Sequence, residues 1–262
     1  MATKQIMTRK AYRVGNSAGV LVPKEWMNGF VEVRLVEPPL RIDAPQILEI
    51  LQKENIDISE ILGIAFTGSY ARGDQEKGSD VDILVISHRL NKKLKVGRYE
   101  IIIISEKTLE SQLYNMGFPI LPMILEGKAL LNEKLFEEYK KKKLSKKALK
   151  WLIKTTKSSM KISSEQISIF KELSEKRLSD NHSYSLILRL RTLYMIECIM
   201  KNKKYTKRDF LNLVKTISGS LTAYNGYINI KENKKIKKEL KFEEAEKIIE
   251  YINEKIIKLK NG

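Results

Sequence analysis

The sequence is poor in the residues that build covalent staples or soft-metal frameworks. Cys198 is its one cysteine, which excludes an internal disulfide and fits a reducing cytoplasm. Its two histidines, His88 and His182, are too few for zinc held by His/Cys clusters. No stretch approaches the ~20 uncharged apolar residues of a membrane span. The opening MATKQIMTRKAYR has no apolar core and does not read as a signal peptide.

Positive charge is in excess, and it is unevenly spread. The formal net charge is +17; residues 1–43 hold 7 basic and 4 acidic groups, residues 44–132 hold 10 and 12, and residues 133–262 hold 32 and 16. The last segment carries nearly all the imbalance. Such a field attracts RNA, DNA or an acidic protein. The plainer alternative is a Lys/Glu/Ile-rich solvated surface of the kind found in heat-adapted proteins. At 262 residues the chain has room for two or three modest domains, each with its own core.

Residues 62–86, LGIAFTGSYARGDQEKGSDVDILVI, organise the rest. An apolar strand, Leu62 to Thr67, ends at Gly68-Ser69. A second strand, from about Ser79 to Ile86, carries Asp80 and Asp82. Strand side chains alternate, so both carboxylates are expected on one face, with Val81, Ile83 and Val85 turned into a core. Close carboxylates repel unless a cation lies between them, and an all-oxygen set suits Mg²⁺. Gly68 admits close backbone approach, and a helix opening after Ser69 would favour phosphate.

Apolar strand, Gly-Ser, a ten-residue gap and Asp-Val-Asp in a second strand together resemble the nucleotidyltransferase superfamily of DNA polymerase β. The run GSYARGDQEKGSDVDILV is similar to its minimal, kanamycin-nucleotidyltransferase-like branch. The resemblance implies that Gly68 and Ser69 bind the nucleotide's β/γ phosphates. It implies too that Asp80 and Asp82 hold two Mg²⁺ ions, with Mn²⁺ as the alternative, and that a third carboxylate completes the catalytic set. Glu100, opening the run EIIIIS, is the candidate, although the family more often has Asp there. Arg72 and Ser79 also match, and are assigned to phosphate contact and local turn geometry.

The N-terminal segment reads as a small β unit with strands near Gln5–Val14, Val20–Pro23 and Val31–Glu37. They are broken at Gly15-Asn16-Ser17 and Asn28-Gly29. The string RKAYRVGNSAGVLVPKEWMNGFVEVRLVE resembles the AbrB-like swapped-hairpin domain, whose members are usually dimers and often bind DNA or serve as antitoxins. About forty residues can hardly bury a core alone, so docking or dimerisation is expected. Arg9, Lys10 and Arg13 are candidate DNA-phosphate contacts. Glu37-Pro38-Pro39 reads as the boundary.

Beyond it, Asp43 should cap a helix running to about Asn55, and Ser105 a helix to about Met116. NKKLKVG (Asn91–Gly97) reads as a basic turn, Arg98–Ser105 as a strand, and His88 as a solvated loop residue. From residue 133 the pattern is helical, with helices expected near 145–176, 183–201, 206–217 and 243–259 and caps at Ser183 and Thr206. The segment SYSLILRLRTLYMIECIMKNKKYTKRDF resembles the helical domain attached to related nucleotidyltransferases, akin to HEPN bundles. Arg177 and His182 fit the RxxxxH spacing of HEPN ribonucleases, but Ser179-Asp180-Asn181 reads as a loop between helices.

These readings combine into an α+β multidomain chain. Residues 1–38 form an AbrB-like β unit, 44–132 a mixed-sheet nucleotidyltransferase domain, and 133–262 a helical bundle for substrate or partner. The expected activity is transfer of a nucleoside monophosphate, from ATP or another NTP, to a hydroxyl of RNA, a protein or an aminoglycoside-like molecule. The expected setting is a cytoplasmic homodimer with no membrane contact. The rival reading is a DNA-binding regulator or antitoxin with a passive nucleotidyltransferase scaffold.

Overall fold

The computed structural model describes residues 6–9, 11–34, 40–76 and 78–261. The chain divides into two compact units, Met1–Arg41 and Ile42–Gly262.

In the first unit β1 (Tyr12–Val14) pairs antiparallel with β2 (Ser17–Gly19). The turn between them carries Gly15 at φ +57°, a left-handed conformation that glycine adopts without a Cβ clash. This tight turn sets the register Val14↔Ser17, so pairing falls earlier than the expected strand at Val20–Pro23, whose residues are irregular. A single 3₁₀ turn, Lys24–Trp26, follows, and residues 31–34 are irregular. Gln5, Lys10, Leu35–Glu37 and the Glu37-Pro38-Pro39 boundary lie outside the described residues. No described residue of this unit is buried. Ile6, Leu21, Met27, Phe30 and Val33 are all largely exposed.

The second unit is a mixed α+β structure around one sheet. It opens with α1 (Ala44–Lys53), capped by the Asp43 carboxylate, which accepts from Gln46 N–H at 2.9 Å. Then come β3 (Ile61–Thr67), α2 (Gly68–Arg72), β4 (Val81–Ser87), β5 (Lys92–Val96) and β6 (Tyr99–Ser105). After these run α3 (Glu106–Asn115), α4 (Ile120–Glu126), β7 (Lys128–Leu131) and α5 (Glu133–Lys140). The sheet order is β5-β6-β4-β3-β7, with β4 and β6 parallel and the other pairs antiparallel.

Both residue parities of β4 are buried: Val81, Ile83 and Val85, and also Leu84 and Ile86. The strand is therefore covered on both faces rather than on the one face expected from alternation. Ala65, Leu84, Ile86 and Ile104 pack with Leu109, Leu113, Leu121, Ile124 and Phe136 of α3, α4 and α5.

The segment expected to be a basic turn is instead β5, one of the sheet's two edge strands. Lysines weaken strand propensity, but they suit an edge, where charge discourages pairing with another chain.

The helical remainder comprises α6 (Lys146–Glu172), β8 (Leu178–Ser179), α7 (Asp180–Met200), α8 (Lys207–Ser218), α9 (Thr222–Lys231), β9 (Lys238–Leu240) and α10 (Phe242–Asn261). The presumed loop at 179–181 pairs with β9 through Leu178 and Ser179, and α7 starts at Asp180 rather than Ser183. The Asp180 carboxylate is buried and accepts from Asn229 Nδ2 and Lys237 N–H. Helix α9 falls between the helices expected near 206–217 and 243–259. Its Gly226 lies so close to α7 that a Cβ there would sit 2.6 Å from both Asp180 Oδ1 and Ser183 Oγ.

Candidate active site

Strand pairing lines up four side chains on one face. Thr67 pairs with Asp82 across β3/β4, Asp82 with Glu100 across β4/β6, and Glu100 with Lys95 across β6/β5. Directly opposed residues project to the same side of a sheet. The row therefore reads Thr67–Asp82–Glu100–Lys95. Glu100 thus stands beside Asp82, while Asp80 precedes the first residue of β4 and comes from the loop rather than the strand expected to carry it. Lys95 ties it in: its ammonium lies 2.9 Å from Glu100 Oε1 and 3.6 Å from Asp80 Oδ2.

Asp82 is the strained member. Burial pushes its carboxyl up to about 6; the Lys231 and Arg72 charges pull it down, and those of Glu100 and Glu126 add to the rise. Thr67, fully buried beside it, has a hydroxyl with no hydrogen-bond partner. Among the described residues no group of three or more His, Cys, Asp or Glu side chains stands ready-made for a metal ion. The oxygens of Asp80 and Glu100 converge on the ammonium instead.

The Gly68-Ser69 turn meets this row directly. Gly68 has φ +65°, and a Cβ there would fall 1.9 Å from Asp82 Oδ2. No other residue fits that approach. Its N–H donates to Glu126 Oε1 at 2.9 Å, and Arg72 Nη1 donates to Glu126 Oε2 at 2.7 Å. Arg72 Nε also donates to Asp74 Oδ2 at 3.2 Å. Burial alone would lower the Arg72 pKa, but the Glu126 and Asp74 carboxylates outweigh it and raise it. Arg72, expected to meet phosphate, is thus held by two carboxylates. Ser79 serves the turn: its hydroxyl accepts from Glu76 N–H at 2.8 Å, and its carbonyl accepts from Arg98.

The bundle reaches the same turn. Lys207 N–H donates to Asp74 Oδ2 at 3.2 Å, and Lys207 Nζ lies 2.6 Å from Glu76. The Tyr205 ring lies near two guanidiniums, its centroid 5.3 Å from Arg72 and 5.5 Å from Arg191. Arg191 Nε donates to Tyr205 Oη at 3.2 Å. Lys231, the last residue of α9, is the charge that most opposes the rise at Asp82.

A family profile described as "Nucleotidyltransferase domain" matches residues 45–177, just over half of the 262-residue chain. The chain belongs to the nucleotidyltransferase domain family. No curated protein is a significant match to it. Among solved structures, this nucleotidyltransferase is similar to a nucleotidyltransferase-like protein from Exiguobacterium sibiricum 255-15, at 12% identity, TM-score 0.35, covering 81% of this chain and 74% of that one. It is also similar to a spectinomycin adenyltransferase from Enterococcus faecialis, solved with ATP and spectinomycin, at 16% identity, TM-score 0.42, covering 81% and 97%. A toxin-antitoxin structure with AMP-PNP aligns at 18% identity, TM-score 0.25, covering 50% and 97%. These likenesses are remote.

Other candidate residues lie apart from the row. His88 is exposed just past β4. His182 Nδ1 is 3.1 Å from Ser179 Oγ, its ring packs edge-on against Phe170, and burial lowers its pKa. Arg177 donates to the Glu239 carbonyl, so the RxxxxH pair is spent on local structure. In the first unit Arg9 and Arg13 are exposed, and Arg13 Nε donates to the Gly15 carbonyl at 3.0 Å. A cavity of about 520 Å³ between α7, α8 and α10, walled by Leu190, Leu193, Tyr194 and Met200, contains none of the acidic row. Lys95, Glu126, Tyr205, Lys207 and Lys231 escaped the sequence reading. Only Lys95 had a readable signal, because KKLKV alternates like a strand.

Among the described residues no helix is long and apolar enough to cross a membrane.

Proposed function

We propose that this nucleotidyltransferase moves AMP from ATP to a hydroxyl on an RNA or protein acceptor. The acceptor oxygen attacks the α-phosphorus, the bond to the bridging oxygen breaks, pyrophosphate leaves, and the hydroxyl proton passes to a carboxylate. One carboxylate of the row doubles as the base that holds that proton. Gly68 and Ser69 lie along the triphosphate, and Lys231 faces it from the bundle.

The donor set fits a divalent cation: three carboxylates, an unpartnered buried hydroxyl on Thr67, and an ammonium standing in as a cation between two of the acids. Asp80, Asp82 and Glu100 would hold Mg²⁺, as two ions or with Mn²⁺ in their place, which when bound lowers the acceptor's pKa and neutralises the leaving group. The protein's own contribution is placement and fixed charge. The excess of basic groups after residue 133 favours a polyanionic acceptor, RNA before protein.

The observation that carries this reading is the cross-strand row with Gly68 pressed against Asp82. Labelled ATP with Mg²⁺ and separate pools of RNA and protein tests it. Label should appear in one pool and vanish with Asp82→Ala. Transfer that survives this change, or none with any pool, removes the reading.

A second reading concerns the first unit and rests on its lack of any buried described residue. It becomes a folded AbrB-like domain by pairing with a second copy of the chain. Arg9, Lys10 and Arg13 then contact DNA phosphates, and the chain acts as a cytoplasmic DNA-binding regulator or antitoxin as well as a transferase. Salt-dependent binding to its own promoter DNA, lost in Arg9→Ala/Arg13→Ala, tests this. Binding unaffected by those changes refutes it.

A further inference from the structure

We propose that Lys95 is a built-in counterion that competes with the divalent cation for Asp80 and Glu100; this rests on the transferase reading above. Position makes the case. Lys95 is the fourth member of the acidic row, paired directly with Glu100 across β5/β6. Its Nζ lies within ion-pair distance of both acids, which come from different segments, at 2.9 Å and 3.6 Å. It is the cation that joins the loop carboxylate to the strand carboxylate.

Competition follows from electrostatics. A divalent ion seated between Asp80 and Glu100 repels the nearby ammonium and draws on the same carboxylate charge, so metal entry weakens the hold on Lys95. The Lys95 side chain is 60% exposed, so its hold is screened and release is easy. Its stem reaches solvent, and the freed ammonium remains on the face where the triphosphate lies. Lys95 thus keeps Asp80 and Glu100 gathered before metal arrives and yields to it afterwards.

The test is direct Mn²⁺ binding to the full chain, followed by electron paramagnetic resonance, with wild type, Lys95→Gln, Lys92→Gln and Asp82→Asn. Lys92 is an exposed lysine of the same strand, so its loss controls for the change in overall charge. Circular dichroism confirms that each variant is folded. The expected result is Mn²⁺ binding roughly three- to tenfold tighter in Lys95→Gln and nearly unchanged in Lys92→Gln, a gain that shrinks in 0.5 M salt. Equal or weaker binding in Lys95→Gln, or an equal gain in Lys92→Gln, overturns the inference and leaves the transferase reading intact. Absence of Mn²⁺ binding in wild type, or binding indifferent to Asp82→Asn, overturns both.

Discussion

The two units of this chain use the same kinds of residue to opposite ends. In the second, the apolar residues of β4 are sealed on both faces of the sheet, with Val81, Ile83, Leu84, Val85 and Ile86 fully buried. In the first, Ile6, Leu21, Phe30 and Val33 are as apolar and stand in the open. The difference is one of surface to volume. A five-stranded sheet with helices has an inside, and about forty residues around a hairpin of two three-residue strands do not. A unit that buries its own core can support a site whose groups must stay fixed to fractions of an ångström. A unit without a core has surface to offer a partner.

The largest effect is expected at the row itself. Asp82→Ala should reduce label transfer from ATP by on the order of 10³-fold, and the same change should leave self-association of the first unit untouched. Gly68→Ala comes next. The new methyl meets the Asp82 carboxylate at 1.9 Å, in a left-handed backbone. Loss of about 2–4 kcal/mol in denaturant unfolding and on the order of 10²-fold in transfer is expected.

The electrostatic cost of the site is the next prediction. The Asp82 carboxyl is raised in the folded state to about 6 from its ordinary 3.8. Between those values the folded chain holds more protons than the unfolded chain. Its stability therefore falls as pH rises through that window and stays reduced above it. In metal-free buffer Asp82→Asn should unfold at higher denaturant than wild type at pH 7.5, by about 1–2 kcal/mol after allowance for partial exposure. The advantage should disappear near pH 4. A constant advantage at both pH values would mean that packing, not charge, is responsible.

The smallest effect on chemistry should come from the other unit. Phe30→Asp places a charge on a fully exposed apolar residue. It should shift the chain from dimer to monomer in sedimentation and change transfer by less than twofold. A wild-type chain that sediments as a monomer at micromolar concentration would end the comparison on that side.

The paired faces of the sheet show what was legible in advance. The run of Asp-Val-Asp after Gly-Ser named the acidic pair, and EIIIIS placed Glu100 on the next strand. Two segments departed from expectation. KKLKV has the alternation of a strand but the composition of a solvated turn, and it is held in the sheet by Glu100 and its neighbours rather than by propensity. TAYNGYINIK lies between the expected helices, yet it forms α9, where Gly226 allows close approach to Asp180 and Ser183. Arg72 was legible as part of the pattern around the Gly-Ser turn, but its partners, Glu126 and Asp74, were not.

The amino-acid sequence by itself determined the strand–turn–strand that carries Gly68, Asp80 and Asp82, because alternation and turn chemistry are local properties. Tertiary structure alone decided that Glu126 closes on Gly68 and Arg72, that Lys95 bridges Asp80 and Glu100, and that Tyr205, Lys207 and Lys231 arrive from the bundle. Those interactions join residues from 5 to 149 positions apart in the chain. At such separations it is packing and strand register, not neighbouring sequence, that select the partner.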